Sequence, residues 1–153
     1  MIWDAVTGFA AGCLATAVMS ILQLPFWRVK GVEYVLEWHE NVGIVMRLFK
    51  NIGEGRALVY SFFFHFLNGG LAAAAYKLFL NFLDLLTFFG PFLLGVLFGL
   101  FLWVFTLAPI HKPLTGLPVF GHPLGTGPVL LSIVLHMVYG VIVTYIITNW
   151  SIA

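Results

Sequence analysis

Residues 128–149 read PVLLSIVLHMVYGVIVTYIITN. No charged side chain interrupts the run. It is long enough for an α-helix to cross a hydrocarbon core of roughly 30 Å at about 1.5 Å per residue. With no water in that core to satisfy backbone groups, helix is the conformation such a run must take. Three similar runs precede it, at about 5–27, 57–80 and 88–108, the first with Pro25 near its end and the third ending before Pro109. The expected fold is all-α: a transmembrane four-helix bundle forming a single integral membrane domain over residues 1–153.

The composition agrees. Hydrophobic residues make up 61% of the chain and charged residues 8%, against roughly 25% charged in a soluble domain, and the mean hydropathy is +1.04. A net charge of +1 leaves no case for nucleic-acid binding. The single Cys13 excludes an internal disulfide and a cysteine metal cage, and reads as a small packing residue. The start, Met1-Ile2-Trp3-Asp4, lacks the basic segment of a cleaved leader.

The connections set the expected orientation. Spans two and three are joined by a short turn around Asn81, Asp84 and Thr87, so the two longer connections share the opposite side. That side carries Arg28, Lys30, Arg47, Lys50, Arg56 and Lys112, against Lys77 alone at the other. The positive-inside bias places the long loops in the cytoplasm and both termini outside a plasma membrane.

In the first long loop, Val35, Trp38, Val42, Val45, Phe49 and Ile52 recur at helical spacing. Glu33, Glu37, Glu40, Arg47, Lys50 and Glu54 fall mainly elsewhere. This predicts a cytoplasmic amphipathic helix, or two short ones broken near Gly43, lying in the membrane interface or docked on a partner. Glu40, beside His39, belongs on its solvated face. The second long loop has Pro109, Pro113, Pro118, Pro123 and Pro128 with Gly116, Gly121, Gly125 and Gly127 between them. It reads as a non-helical Pro/Gly-rich cap over the bundle end.

Small residues recur every fourth position: Gly8, Gly12 and Thr16 in span one, Gly69 in span two, Gly95 and Gly99 in span three, Gly140 in span four. Such stripes let helix backbones approach in lipid and predict the packing faces.

His65 and His136 fall on those faces, each about two turns inside a span of the same direction, roughly 12 Å deep. Each has a polar residue at +3 (Asn68, Tyr139) and glycine at +4 (Gly69, Gly140), which hints at a weak repeat of spans one–two in three–four. Three readings follow. The histidines, Asn68 and Tyr139 can hydrogen-bond between helices, which needs no cofactor. His65 and His136 can ligate a haem b iron or another metal, with the glycines leaving room for a flat cofactor. Or the four residues can face a quinone or small solute. No carboxylate ligand is expected at that depth. The spans lack the midplane charges of a coupled transporter, and no hydrolase triad, HExxH motif or P-loop is present. The expectation is therefore a non-catalytic membrane subunit or scaffold, not an enzyme by itself, with the lipid bilayer and other membrane subunits of a larger, respiratory-type assembly as partners. A haem- or metal-binding protein and a solute- or quinone-binding protein are the alternatives.

The order of features resembles a family of small prokaryotic four-span membrane proteins of unknown function. The resemblance rests on Gly12-Cys13-Leu14-Ala15-Thr16-Ala17-Val18-Met19, on His65 with Gly69, on Gly99 through Trp103 with Pro109, and on His136-Met137-Val138-Tyr139-Gly140. It implies a four-span fold and a bacterial or archaeal plasma membrane, and no activity.

Overall fold

The computed structural model describes residues 1–82 and 86–150, and for 82 and 86–88 the backbone alone. These residues form α1 (Ile2–Lys30), α2 (Leu36–Leu48), α3 (Glu54–Phe82), α4 (Leu86–Leu102), α5 (Ala108–Thr115) and α6 (Gly127–Asn149). Four stretches are long and apolar enough to cross a membrane: Ile2–Lys30, Glu54–Asn81, Phe89–Thr115 and Gly127–Asn149. The expected turn around Asn81, Asp84 and Thr87 centres on residues 83–85, which lie outside the described residues.

The small-residue stripes are the seams of the bundle. On α1 the buried positions include Gly8, Ala11, Gly12, Ala15, Thr16 and Met19, which share one helical face. That face packs on α3, and α4 packs on α6 in the same way. A methyl group added at Gly12 would overlap the Gly69 carbonyl, and one at Gly69 would overlap the Thr16 hydroxyl. Across the other seam, a methyl at Gly140 would strike the Gly95 carbonyl and one at Gly99 the His136 carbonyl. The two seams pair span one with span two and span three with span four. The symmetry is incomplete: α1 also packs on α6, whereas among the described residues the backbones of α3 and α4 stay apart. Those two helices meet through the stacked rings of Tyr76 and Phe98, 3.8 Å between centroids.

The third span departs from expectation at both ends. Gly90 takes φ 67° and breaks the helix, so the continuous part starts at Pro91. Proline suits a first helical turn, where its missing N–H costs nothing. At the other end the helix does not stop at Pro109. One π-helical turn, Trp103–Leu107, leads into α5, which contains Pro109 and Pro113. The expectation of a wholly non-helical loop is thus corrected. A π-turn rearranges the local hydrogen-bond ladder, and Pro109 falls at the second position of the helix that follows, where a proline is tolerated. Gly116, at φ 78°, then caps α5 in the left-handed region.

α2 is one helix through Gly43 rather than two, and it contacts α3, α5 and α6. Trp38 sits between Trp27 and Phe62, with ring centroids 5.7 and 6.1 Å away. Arg47 donates to the Pro113 and Leu114 carbonyls at the end of α5. Gripped at both ends, α2 lies across the loop-bearing end of the bundle.

Candidate functional site

Where α3 and α4 stay apart, the bundle holds a cavity of about 500 Å³. Exposed Asn68, Leu71, Phe105, Thr106 and Ile110 flank its mouth. Buried Thr16, Glu37, Glu40, His65 and Tyr139 lie deeper, with the part-buried His136. The structure therefore brings His65, His136, Asn68 and Tyr139 to one cavity. Their roles differ. Tyr139 donates from its hydroxyl to the Gly69 carbonyl at 2.5 Å, joining α6 to α3. Asn68 is exposed at the mouth. His65 is 9% exposed, and among the described residues no group hydrogen-bonds its Nε2.

His136 is held differently. Its Nδ1 lies 2.9 Å from the Ser132 carbonyl and 3.3 Å from Glu37 Oε1. Both partners accept, so the Nδ1 position carries the proton and a neutral ring keeps Nε2 as an acceptor.

The residues that sequence reasoning misplaced are Glu37 and Glu40. The expectation that no carboxylate reaches the depth of the histidine pair is corrected, and so is the solvated place given to Glu40. α2 inserts both carboxylates into the bundle end, where each is less than 10% exposed. Glu37 accepts hydrogen bonds from Gln23 Nε2 at 2.9 Å and from Ser132 Oγ. Ser132 in turn accepts from Trp103 Nε1 at 3.1 Å. One carboxylate thus ties α1, α2 and α6 together. Burial alone would push the Glu37 carboxyl up, but His136 and the Ser132 hydroxyl outweigh it and hold the group below its ordinary value.

Glu40 lies one turn further along α2. Its partner is not the adjacent His39 but His111 Nδ1, at 2.8 Å. Burial first, and the charge of Glu37 second, push this carboxyl up to about 9. Two carboxylates three residues apart on one helix are thereby separated: Glu37 is ionised at neutral pH and Glu40 keeps its proton. Pairs of titratable groups driven apart in this way mark acid–base capacity.

Among the described residues, no group of three or more His, Cys, Asp or Glu side chains is arranged to hold a metal ion. His65 and His136 share the cavity without a third ligand. Cys13 sits at the α1–α3 seam with Sγ 3.8 Å from the Phe66 carbonyl, as a packing residue would. No protein-family model, curated protein or solved structure matches the chain, so the resemblance to small prokaryotic four-span proteins carries nothing further.

Proposed function

We propose that this protein binds a quinone-like molecule, a flat hydrogen-bonding head on an apolar body, in the cavity between α3 and the α4–α5 run. The observation that carries the reading is the division of that cavity into a mouth where Leu71, Phe105 and Ile110 stand with Asn68 and Thr106, and a floor where Glu37, Glu40, His65 and His136 converge. A volume of about 500 Å³ lies within the range of small-ligand sites, which pair apolar walls with a few convergent polar groups. The free Nε2 of His65 suits a carbonyl oxygen of such a head, and the exposed Leu71, Phe105 and Ile110 suit its apolar body. The mouth lies on the flank of the bundle, so a lipid-dissolved ligand would reach it from the bilayer.

In this reading the loop-bearing end, with Arg28, Lys30, Arg47, Lys50, Arg56 and Lys112, faces the cytoplasm of a prokaryotic cell. The protein acts as a binding subunit and not as a self-sufficient enzyme. Membership of a larger assembly is testable by native mass analysis after mild extraction. Co-purifying membrane chains support it, and a lone copy of this chain counts against it.

The test of binding uses a short-tail benzoquinone and the purified protein in nanodiscs. A saturable rise in melting temperature is expected, with affinity at least tenfold weaker in His65→Leu. No shift at any soluble concentration, or equal shifts in both proteins, would overturn the reading. The absorption spectrum of the same preparation separates the haem alternative: a Soret band abolished by His136→Ala would move the assignment from quinone to haem.

A further inference from the structure

The two buried carboxylates of α2 differ in how many donors they meet. Glu37 faces three: Gln23 Nε2, the Ser132 hydroxyl and His136 Nδ1. Glu40 faces one, His111 Nδ1, which lies 2.8 Å from Oε1. Its Oε2 makes no hydrogen bond among the described residues. Glu40 lines the cavity and His111 stands behind it, off the cavity wall, so Oε2 is the oxygen left to the cavity. A buried carboxylate with a single donor is poorly compensated, and a neutral carboxyl suits such a place. By donor count alone, Glu37 is the charged group of the pair and Glu40 the acid.

Which oxygen of that acid carries the proton follows from His111. The Leu124 N–H donates to His122 Nδ1 at 3.2 Å, which leaves the proton of the neutral His122 ring on Nε2. The rings of His122 and His111 lie 6.1 Å apart, centroid to centroid, and both Nε2 atoms are buried without a partner among the described residues. Two N–H groups there would leave the space between the rings without an acceptor. The lone pair of His111 Nε2 supplies one, and this places the His111 proton on Nδ1. Nδ1 then donates to Glu40 Oε1, and the carboxyl proton belongs on Oε2. An O–H in the cavity with no protein acceptor calls for an explanation, because orphaned buried groups are rare.

We propose that Glu40 is the second donor to the ligand: its Oε2–H binds one carbonyl oxygen of the head, and His65 Nε2 binds another. This rests on the quinone-binding reading and narrows it to heads with two carbonyl oxygens. A head with a single carbonyl satisfies His65 or Glu40 but not both. An ionised Glu40 would set a lone pair against the carbonyl oxygen, so binding follows the protonated fraction of Glu40. The other titratable groups near Glu40 are Glu37 of α2, His111 of α5 and, on the cavity wall, His65 of α3 with His136 and Tyr139 of α6. His39 and His122 stand near His111. Arg47 and Lys112 are exposed. Glu40→Gln keeps all of these and removes the titration alone, since an amide accepts from His111 and donates to the cavity at every pH.

The experiment measures the affinity of a tetrasubstituted short-tail benzoquinone for the whole protein in nanodiscs, from the rise in melting temperature. It is run at about pH 7 and about pH 10, on either side of the value of about 9 for Glu40. Wild-type affinity should fall about tenfold between them, because about one Glu40 in ten keeps its proton at the higher pH. Glu40→Gln should bind within about threefold of wild type at the lower pH and hold that affinity at the higher one. Glu40→Ala, and wild type with a monocarbonyl analogue of the same ring, should each bind about tenfold more weakly at the lower pH. Infrared spectra there should show a protonated-carboxyl C=O band that Glu40→Gln lacks and that moves to lower frequency on quinone addition. Melting curves without ligand confirm folding, and if Glu40→Ala is not folded the pH profiles of wild type and Glu40→Gln carry the test. A wild-type affinity that is the same at both pH values overturns the donor and leaves the quinone reading standing. So does a Glu40→Gln affinity that falls with pH as wild type does. Absence of quinone binding by every protein at both pH values overturns the quinone reading itself.

Discussion

The same helix, α3, is treated in opposite ways on its two sides. Toward α1 it offers Gly69 and Ala73, and the backbones close until no methyl group fits at Gly12 or Gly69. Toward α4 it offers His65, Asn68, Leu71 and Ala72, and the helices part around a cavity. Lipid-soluble helices have no hydrophobic drive to meet, so contact requires small residues or polar bridges. A membrane bundle therefore makes a pocket simply by leaving the glycines off one interface.

The largest test of this contrast is at a seam. Gly140→Leu drives a branched side chain into the Gly95 carbonyl. Overpacking against backbone should cost about 3 kcal/mol or prevent accumulation of folded protein, as read by thermal unfolding in detergent. An unchanged midpoint would mean that the seam is not closed.

Next is the polar floor. Glu37→Ala leaves Gln23, Ser132 and His136 without their shared acceptor. A loss of about 2 kcal/mol is expected in the same assay, with Glu37→Gln losing less. Equal losses for the two variants would argue against the hydrogen-bonding role.

A test of another kind separates the two carboxylates by pH. The Glu40 value is raised from 4.5 to about 9 in the folded chain. The folded state therefore holds a proton that the unfolded chain has lost in that window, and stability falls as pH rises from about 4.5 to about 9, then levels off. Glu37 has the opposite sign: its stabilisation is present above 4.5 and is lost as pH falls below that value. Burial also lowers His39 and His122, which makes stability rise with pH up to about 6.5, so above that pH melting temperatures should decline in wild type toward about pH 9 and flatten in Glu40→Gln. A flat wild-type profile would contradict the buried, protonated Glu40.

The smallest effect belongs to the open side. Leu71→Ala, at the exposed mouth, should change stability by less than about 0.5 kcal/mol while weakening quinone binding a few-fold. A stability loss as large as that of the seam variant would show that the α3–α4 side is packed after all.

Much of this was legible beforehand for a physical reason. Runs such as 128–149 have one solution in lipid, and Gly12, Gly69, Gly95 and Gly140 announce close approach by spacing alone. The site was half legible: His65 and His136 stood out as polar groups in apolar runs. Glu37 and Glu40 did not, because a carboxylate on an amphipathic helix has the pattern of a solvated face. What buries them is a set of partners far along the chain: Gln23 for Glu37 before it, Ser132 and His136 after it, and His111 for Glu40. α5 was hidden for another reason. Pro109 and Pro113 read as stops, yet the helix runs on through a π-turn and past both of them.

That π-turn has a consequence in counting. Inserting one residue into a helical turn rotates everything after it by about 100° about the axis. His111 lies just beyond the insertion and meets Glu40 in the rotated register. The pairing of α5 with α2 is therefore written in the number of residues between Trp103 and Leu107 as much as in their identity. Removing one residue from that turn would rotate α5 by about 100° and change the side of it that carries His111 relative to α2.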